Sequence, residues 1–393
     1  MKWLLPCFCL MAFITSCGSD NDGDGPGRQG KPISELTPDE NKKELENIGL
    51  NLLSKINPED HAALGKTIAK FEEITSYSSV VEEPGIMNML KSINAVCAKT
   101  DLSEMLALAS TRTAVDEFLC GIWEYNESEY VWDRKEVGHP GEVEYRFKVE
   151  GTAASIKANY SEATIDFENE AIPVSLDLQV SLGNEKLAEF ALAMNPEPTF
   201  DMPTEVGVNC ALTASGYIFG VDATLQESGT SSIVASFGKD GDALLSFNAY
   251  GKTAFNDDIP VKNAEAELRI LNDLSVTVSC SNVQKCYEKI NALDWQSTES
   301  DYRECAQVIN QYTSGELRYV ESDYVVAKVM FEAYNDDING DGNINDNDWD
   351  IETLIVFSQD GSKHSFDSYF DEVGFQSLLV KAAELTERYE NLF

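Results

Sequence analysis

The sequence predicts an α+β fold in which an N-terminal helical layer packs on an antiparallel β-meander, with a C-terminal hairpin and a terminal helix completing the chain. Three changes of pattern along the 393 residues predict it. Apolar residues recur at helical spacing over 34–120, alternate with polar ones over 121–283, and do each in turn over 284–393. No compositional break separates these regions. The stretch 34–393 therefore also reads as one domain, although a single core usually stops growing at ~250–300 residues.

The helical region opens at Thr37-Pro38-Asp39-Glu40. Thr37 is a cap residue, Pro38 suits a first turn whose N–H has no partner anyway, and Glu40 completes a capping box. Leu45, Ile48, Leu52, Leu53 and Ile56 then share one face. Asn57-Pro58-Glu59-Asp60 restarts a second helix carrying Leu64, Ile68 and Phe71, and amphipathic pieces follow at 85–98 and 101–112.

In the β region Leu176, Leu178, Val180 and Leu182 alternate with Asp177, Gln179 and Ser181. Tyr217 to Leu225 and Leu274 to Val278 show the same period. Gly183-Asn184, Ser228-Gly229, Asp240-Gly241 and Asn272-Asp273 supply turn signals. Closely spaced hairpins with one polar face form a meander that is wet on one side and packed on the other. The helical layer is the expected cover. Beyond it come helices near 283–293 and 299–313, strands near 317–334 and 350–367, and a helix near 372–391 with Leu378, Leu379, Ala382, Ala383, Leu385 and Tyr389 on its apolar face.

The N-terminus carries an address. Lys2 precedes an apolar run from Leu4 to Ile14, then Thr15, Ser16 and Cys17. A charged start, a short apolar stretch and a small-residue cleavage site describe a secretory signal peptide over 1–16. The run falls well short of the ~20 residues of a membrane-spanning helix. Ile14-Thr15-Ser16-Cys17 resembles the bacterial lipobox, which implies that Cys17 becomes a lipidated N-terminus held in an outer membrane. Residues 17–33 read as a disordered tether with an r.m.s. reach of roughly 20–24 Å. Its acidic opening, Gly18-Ser19-Asp20-Asn21-Asp22-Gly23-Asp24, looks like the surface-export signals of Bacteroidetes lipoproteins and implies an exterior orientation.

The formal charge of −39, spread along the chain, repels phosphate backbones and anionic head groups. It excludes nucleic acid as a partner and favours cation binding. Beyond Cys7, Cys9 and Cys17 the cysteines are Cys97, Cys120, Cys210, Cys280, Cys286 and Cys305, with no CxxC pair. Export permits disulfides, Cys280 with Cys286 or Cys286 with Cys305 being the local candidates, but spacing does not decide between bridges and free thiols. Only His61, His139 and His364 are present, and each reads as an ordinary surface residue. No GxSxG, phosphate loop, dinucleotide fingerprint or HExxH occurs. Acidic pairs for glycoside hydrolysis are too numerous to choose among 68 carboxylates, so no catalytic residue is assigned.

One motif is specific. Residues 337–348 fit the EF-hand calcium loop, with oxygen ligands expected from Asp337, Asn339, Asp341, the Asn343 carbonyl, Asn345 and Asp348, and Gly342 at the sharp turn. The loop resembles those of dockerins, which also carry Asp at the last position. Asp348 is shorter than the usual Glu, so affinity falls. The flanks alternate like strands (Val325 to Ala333 before, Trp349 to Phe357 after), so the loop is expected to cap a β-hairpin rather than join two helices. A plain Asn/Asp/Gly turn is the competing reading.

Trp123, Tyr125, Tyr130 and Trp132 flank a turn at Asn126-Glu127-Ser128-Glu129. They are either core between helices and sheet or a stacking platform for sugars, core being the commoner fate of such residues. Together with Leu45-Glu46-Asn47-Ile48-Gly49 and Gly121-Ile122-Trp123-Glu124-Tyr125, these loose patterns resemble uncharacterised lipoproteins of gut Bacteroidetes, a group that brings no activity to transfer. Three functions follow in order of preference: a calcium-binding, non-enzymatic surface lipoprotein for a glycan or protein partner; a lipid or small-molecule carrier with an apolar cavity between sheet and helices; and a hydrolase with an acidic site.

Overall fold

A computed structural model describes residues 32–76, 120–161, 164–167, 170–196, 205–254, 259, 261–293, 298–335, 348–370 and 374–392. Helices α1 (Pro38–Ser54) and α2 (Ala62–Ser76) come first. The capping box forms as the sequence predicts: Glu40 N donates to Thr37 Oγ1 at 3.3 Å, and Thr37 N donates to Glu40 Oε2 at 2.9 Å. Pro58–His61 is a 3-10 turn leading into α2 rather than that helix's first turn. The pieces expected at 85–98 and 101–112 lie outside the described residues.

Strands β1 (Gly121–Asn126), β2 (Val131–Glu136), β3 (Glu142–Val149) and β4 (Thr152–Tyr160) open the sheet. A separate ribbon, β5 (Thr164–Phe167) with β6 (Glu170–Pro173), follows. Then come β7 (Ser175–Leu182), β8 (Glu185–Pro196), β9 (Glu205–Ala214), β10 (Tyr217–Gln226), β11 (Ser228–Lys239), β12 (Asp242–Ala254), β13 (Val261–Ile270) and β14 (Leu274–Cys280). Helices α3 (Val283–Asn291) and α4 (Glu299–Tyr312) interrupt the meander. It resumes with β15 (Thr313–Tyr319), β16 (Tyr324–Asn335), β17 (Trp349–Phe357) and β18 (Lys363–Ser365), before the short α5 (Phe366–Tyr369) and the terminal α6 (Gln376–Glu390).

Sixteen of these strands form one open sheet in the order β18-β17-β16-β15-β14-β13-β12-β11-β10-β9-β8-β7-β4-β3-β1-β2. Neighbours are antiparallel except β1 with β3, which run parallel. Residues beyond 283 do not make a layer of their own, because β14 pairs with β15 and the sheet runs on. The predicted turn at Asp240-Gly241 appears with both residues at positive φ, 52° and 92°. Such a two-residue turn matches the right-handed twist of the strands it joins. The turn expected at Asn272-Asp273 appears as the three-residue connection Leu271-Asn272-Asp273, with Leu271 and Asn272 at positive φ.

The helices divide the apolar face into two cores. Under α2, Phe71 and Ile74 meet Trp132, Tyr145, Phe147, Ile156 and Leu176. Under α1 and α6, Leu45, Ile48, Leu52, Leu378 and Leu385 meet Tyr217, Leu244, Leu274, Tyr319 and Phe357. Gly49 lets α1 and α6 approach closely, since a Cβ there would lie 2.7 Å from Leu378 Cδ2. No helix among the described residues is long and apolar enough to cross a membrane.

Candidate functional site

The meander builds a trough on its apolar face. Register places Ile233 opposite Ala249, Ala249 opposite Ala266, Ala266 opposite Val278, Val278 opposite Gly315, and Gly315 opposite Val329. Because strand side chains alternate between faces, this row projects from one face across β11 to β16, a distance of roughly 24 Å at the usual interstrand spacing. A second row, Ser231, Gly251, Ala264, Cys280 and Thr313, runs beside it. Towards the Tyr217 and Lys239 ends of the strands, the same face carries Phe237, Leu245, Ile270, Leu317 and Phe357 and is roofed by α1 and α6. At the other end no helical residue among the described ones lines the hollow, and Val278 is 50% exposed.

Small side chains make the floor. At Gly251 a Cβ would come within 2.3 Å of the Asn263 carbonyl oxygen, and at Gly315 within 2.8 Å of Val329 Cβ. With Ala249, Ala264 and Ala266 alongside, the space stays open to about 440 Å³. That is a small-molecule volume, near the lower end of the ~300–1,000 Å³ typical of ligand pockets. The intervening positions, Ser232, Tyr250, Glu265, Ser279 and Ser314, belong to the opposite, polar face. There Ser279 and Ser314 share a hydrogen bond at 2.8 Å, and Tyr250 bonds Glu265.

That polar face has its own depression of about 480 Å³ over β4 and β7 to β9, bordered by Lys157, Asp177, Gln179 and Glu189. Asp177 and Glu189 are both exposed, unlike the buried carboxyl pair a hydrolase would use to raise one pKa.

The aromatic hairpin forms between β1 and β2, with Tyr125 opposite Trp132. Trp132 is 6% exposed, edge-on to Phe71 of α2 at 5.8 Å and to Tyr145 at 5.5 Å. Trp123 is half-buried, donates from Nε1 to the Cys120 carbonyl at 3.2 Å, and has Arg134 over its ring. Tyr125 is also half-buried, and burial pushes its hydroxyl pKa up. Tyr130 stands apart in the turn, 64% exposed with φ 57°. The four rings therefore do not share one open surface, because α2 occupies the position over Trp132 that a stacked sugar would need.

Of the calcium loop, only Asp348 falls among the described residues; Asp337, Asn339, Asp341, Asn343 and Asn345 lie outside them, as does Cys17. Asp348 is 2% exposed at the start of β17, and Asn335 pairs with Trp349 at the hairpin base. The flanks are strands, as their alternation predicts. Among the described residues no group of three or more His, Cys, Asp or Glu is arranged to hold a metal.

The reading of three surface histidines needs correcting at His61, which is 6% exposed and packed on Tyr217 at 4.8 Å. It adjoins a polar tie between helices and sheet. Lys239 Nζ donates to Asp60 Oδ2 at 2.7 Å and to the Tyr217 hydroxyl at 2.9 Å, and Asn57 N donates to that hydroxyl at 2.8 Å. The Lys239 ammonium holds the Asp60 carboxyl below its ordinary range, and Asp60 in turn raises Lys239. Burial lowers His61, whose Nδ1 has no hydrogen-bond partner. Cys280, Cys286 and Cys305 are free thiols, and burial raises Cys286 and Cys305.

Sequence reasoning missed the trough. Its signal was the Gly and Ala content of the apolar rows, Ala249, Gly251, Ala264, Ala266 and Gly315, where large side chains would otherwise be expected.

No protein family matches the chain, and no curated protein matches it. Among solved structures, a porin-like protein from Bacteroides vulgatus is similar over 53% of this chain and 94% of that one, at 10% sequence identity and a TM-score of 0.18. A likeness at that level carries no argument about fold or function.

Proposed function

We propose that this protein is a membrane-anchored, non-enzymatic binding protein that holds an apolar ligand in the trough of its sheet. One observation carries the reading: half of a continuous apolar face, floored by glycine and alanine, lacks cover among the described residues, while the other half is roofed by helices. Apolar surface left in water costs about 25 cal/mol per Å², and a ligand laid there recovers it. The carrier reading thus ranks above the glycan platform, from which α2 withholds Trp132. Lipids on Cys17 supply the anchor, in an outer membrane and facing the exterior, each acyl chain adding ~0.8 kcal/mol per buried CH₂. Calcium, held by Asp337, Asn339, Asp341, the Asn343 carbonyl, Asn345 and Asp348, steadies the β16–β17 hairpin that borders the trough.

The test is titration of the full chain with an environment-sensitive apolar dye. Enhancement is expected for the parent and a loss of at least tenfold in affinity for Ala266→Trp, which fills the floor. Equal dye binding by a folded Ala266→Trp variant contradicts the proposal.

A further inference from the structure

We infer that the trough selects a neutral single-chain acyl lipid over the corresponding fatty-acid anion, an inference that rests on the apolar-ligand reading above. Shape limits the ligand to one chain: a hollow of about 440 Å³ crosses six strands and is floored by backbone at Gly251 and Gly315. Charge then decides the head group. Among the described residues around the hollow Glu265 is the one that is charged, and it belongs to the alternate row with Tyr250. A carboxylate lowered into the trough would therefore meet no cation among the described residues and would lose hydration without compensation.

The described residues at the ends offer it nothing better. At the β10–β11 end Gln226 donates to Glu205 at 2.8 Å, with Glu227 next in sequence. At the β13 end Lys262 is engaged with the Ile259 carbonyl at 2.9 Å, and Lys252 falls in the alternate row. Around both lies the field of a chain with net charge −39, which lowers the local concentration of any anion. A glyceryl or other uncharged head loses nothing to that field and reaches water at the open rim.

The experiment uses the full chain, with a medium-chain monoacylglycerol and the fatty acid of the same chain, each below its self-association concentration. At neutral pH and low salt the monoacylglycerol is expected to bind at least tenfold tighter, with the gap narrowing as salt screens the field. Ala266→Trp should weaken the monoacylglycerol by a similar factor, placing it in the trough. If the fatty acid binds as tightly or more tightly, and Ala266→Trp weakens both, the apolar site stands and the charge preference is overturned. If neither lipid binds, or Ala266→Trp leaves binding unchanged, the trough reading itself falls and the preference with it.

Discussion

At Trp132 and Tyr130 two aromatic residues two positions apart have opposite fates, which the sequence alone leaves open. Trp132 fills the space under Phe71, so Trp132→Ala should cost roughly 3–5 kcal/mol in a urea melt, from lost burial and the cavity left behind. Trp132→Phe should cost less than its area implies, because the buried Nε1 has no hydrogen-bond partner to lose. Tyr130, exposed and left-handed, should accept Gly with a change within about 1 kcal/mol, since glycine relieves the positive φ. A near-neutral Trp132→Ala melt would return the hairpin to the role of a binding platform. His61 gives a second handle on the residue scale. Burial holds its folded pKa below the ordinary 6.5, so the unfolded chain binds the proton more readily. Stability from this group is complete above about pH 6.5 and is lost as pH falls from there towards the folded value. His61→Phe should flatten the stability profile between neutral and mildly acidic pH, and an unchanged slope would assign the dependence elsewhere. Nothing in Pro58-Glu59-Asp60-His61 announces this burial, because it depends on Tyr217 and Tyr389, far away in sequence.

Among the elements, legibility follows the range of the determining interactions. The start of α1 could be read residue by residue, since a capping box is decided within four positions. The β16–β17 hairpin was equally legible, because alternation on both flanks fixes strands without reference to any partner. The 3-10 turn at Pro58–His61 was not, as Asn57 N bonds the Tyr217 hydroxyl of a distant strand instead of continuing a helix cap. The calcium proposal belongs to the β16–β17 hairpin. With calcium about 100-fold above its Kd, the native state should gain ~2.7 kcal/mol, and Asp341→Ala should remove most of that by deleting a charged ligand near the loop centre. Thermal melts in EDTA and in millimolar calcium check this. Identical melting temperatures for the parent in both would leave 337–348 as a plain turn.

Across the whole molecule, the sequence conveys an α+β class and a meander, and the structure adds that one sheet of sixteen strands takes in strands from both 121–283 and 284–393. Period-two alternation reveals that a strand has an apolar face, but not how many such strands share it or where the roof stops. Both depend on pairing across hundreds of residues, as between β14 and β15 around the α3–α4 insert. Open sheets rarely exceed ~10 strands without curling or splitting, and here the helices divide the apolar face into two cores and leave the trough beyond the second. Strand β2, an edge of the sheet among the described residues, carries Arg134 and Lys135, charges that discourage edge-to-edge pairing with another copy.

The central claim is that the trough holds an apolar ligand. The most direct measurement is mass spectrometry of lipids released from the full chain after purification from its own membranes in a mild detergent, compared with an Ala266→Trp variant handled identically. A stoichiometric acyl lipid, separable from the covalent chains on Cys17, is expected in the parent, with a severalfold loss in the variant. A folded parent carrying no extractable lipid, or equal lipid in both proteins, would contradict it.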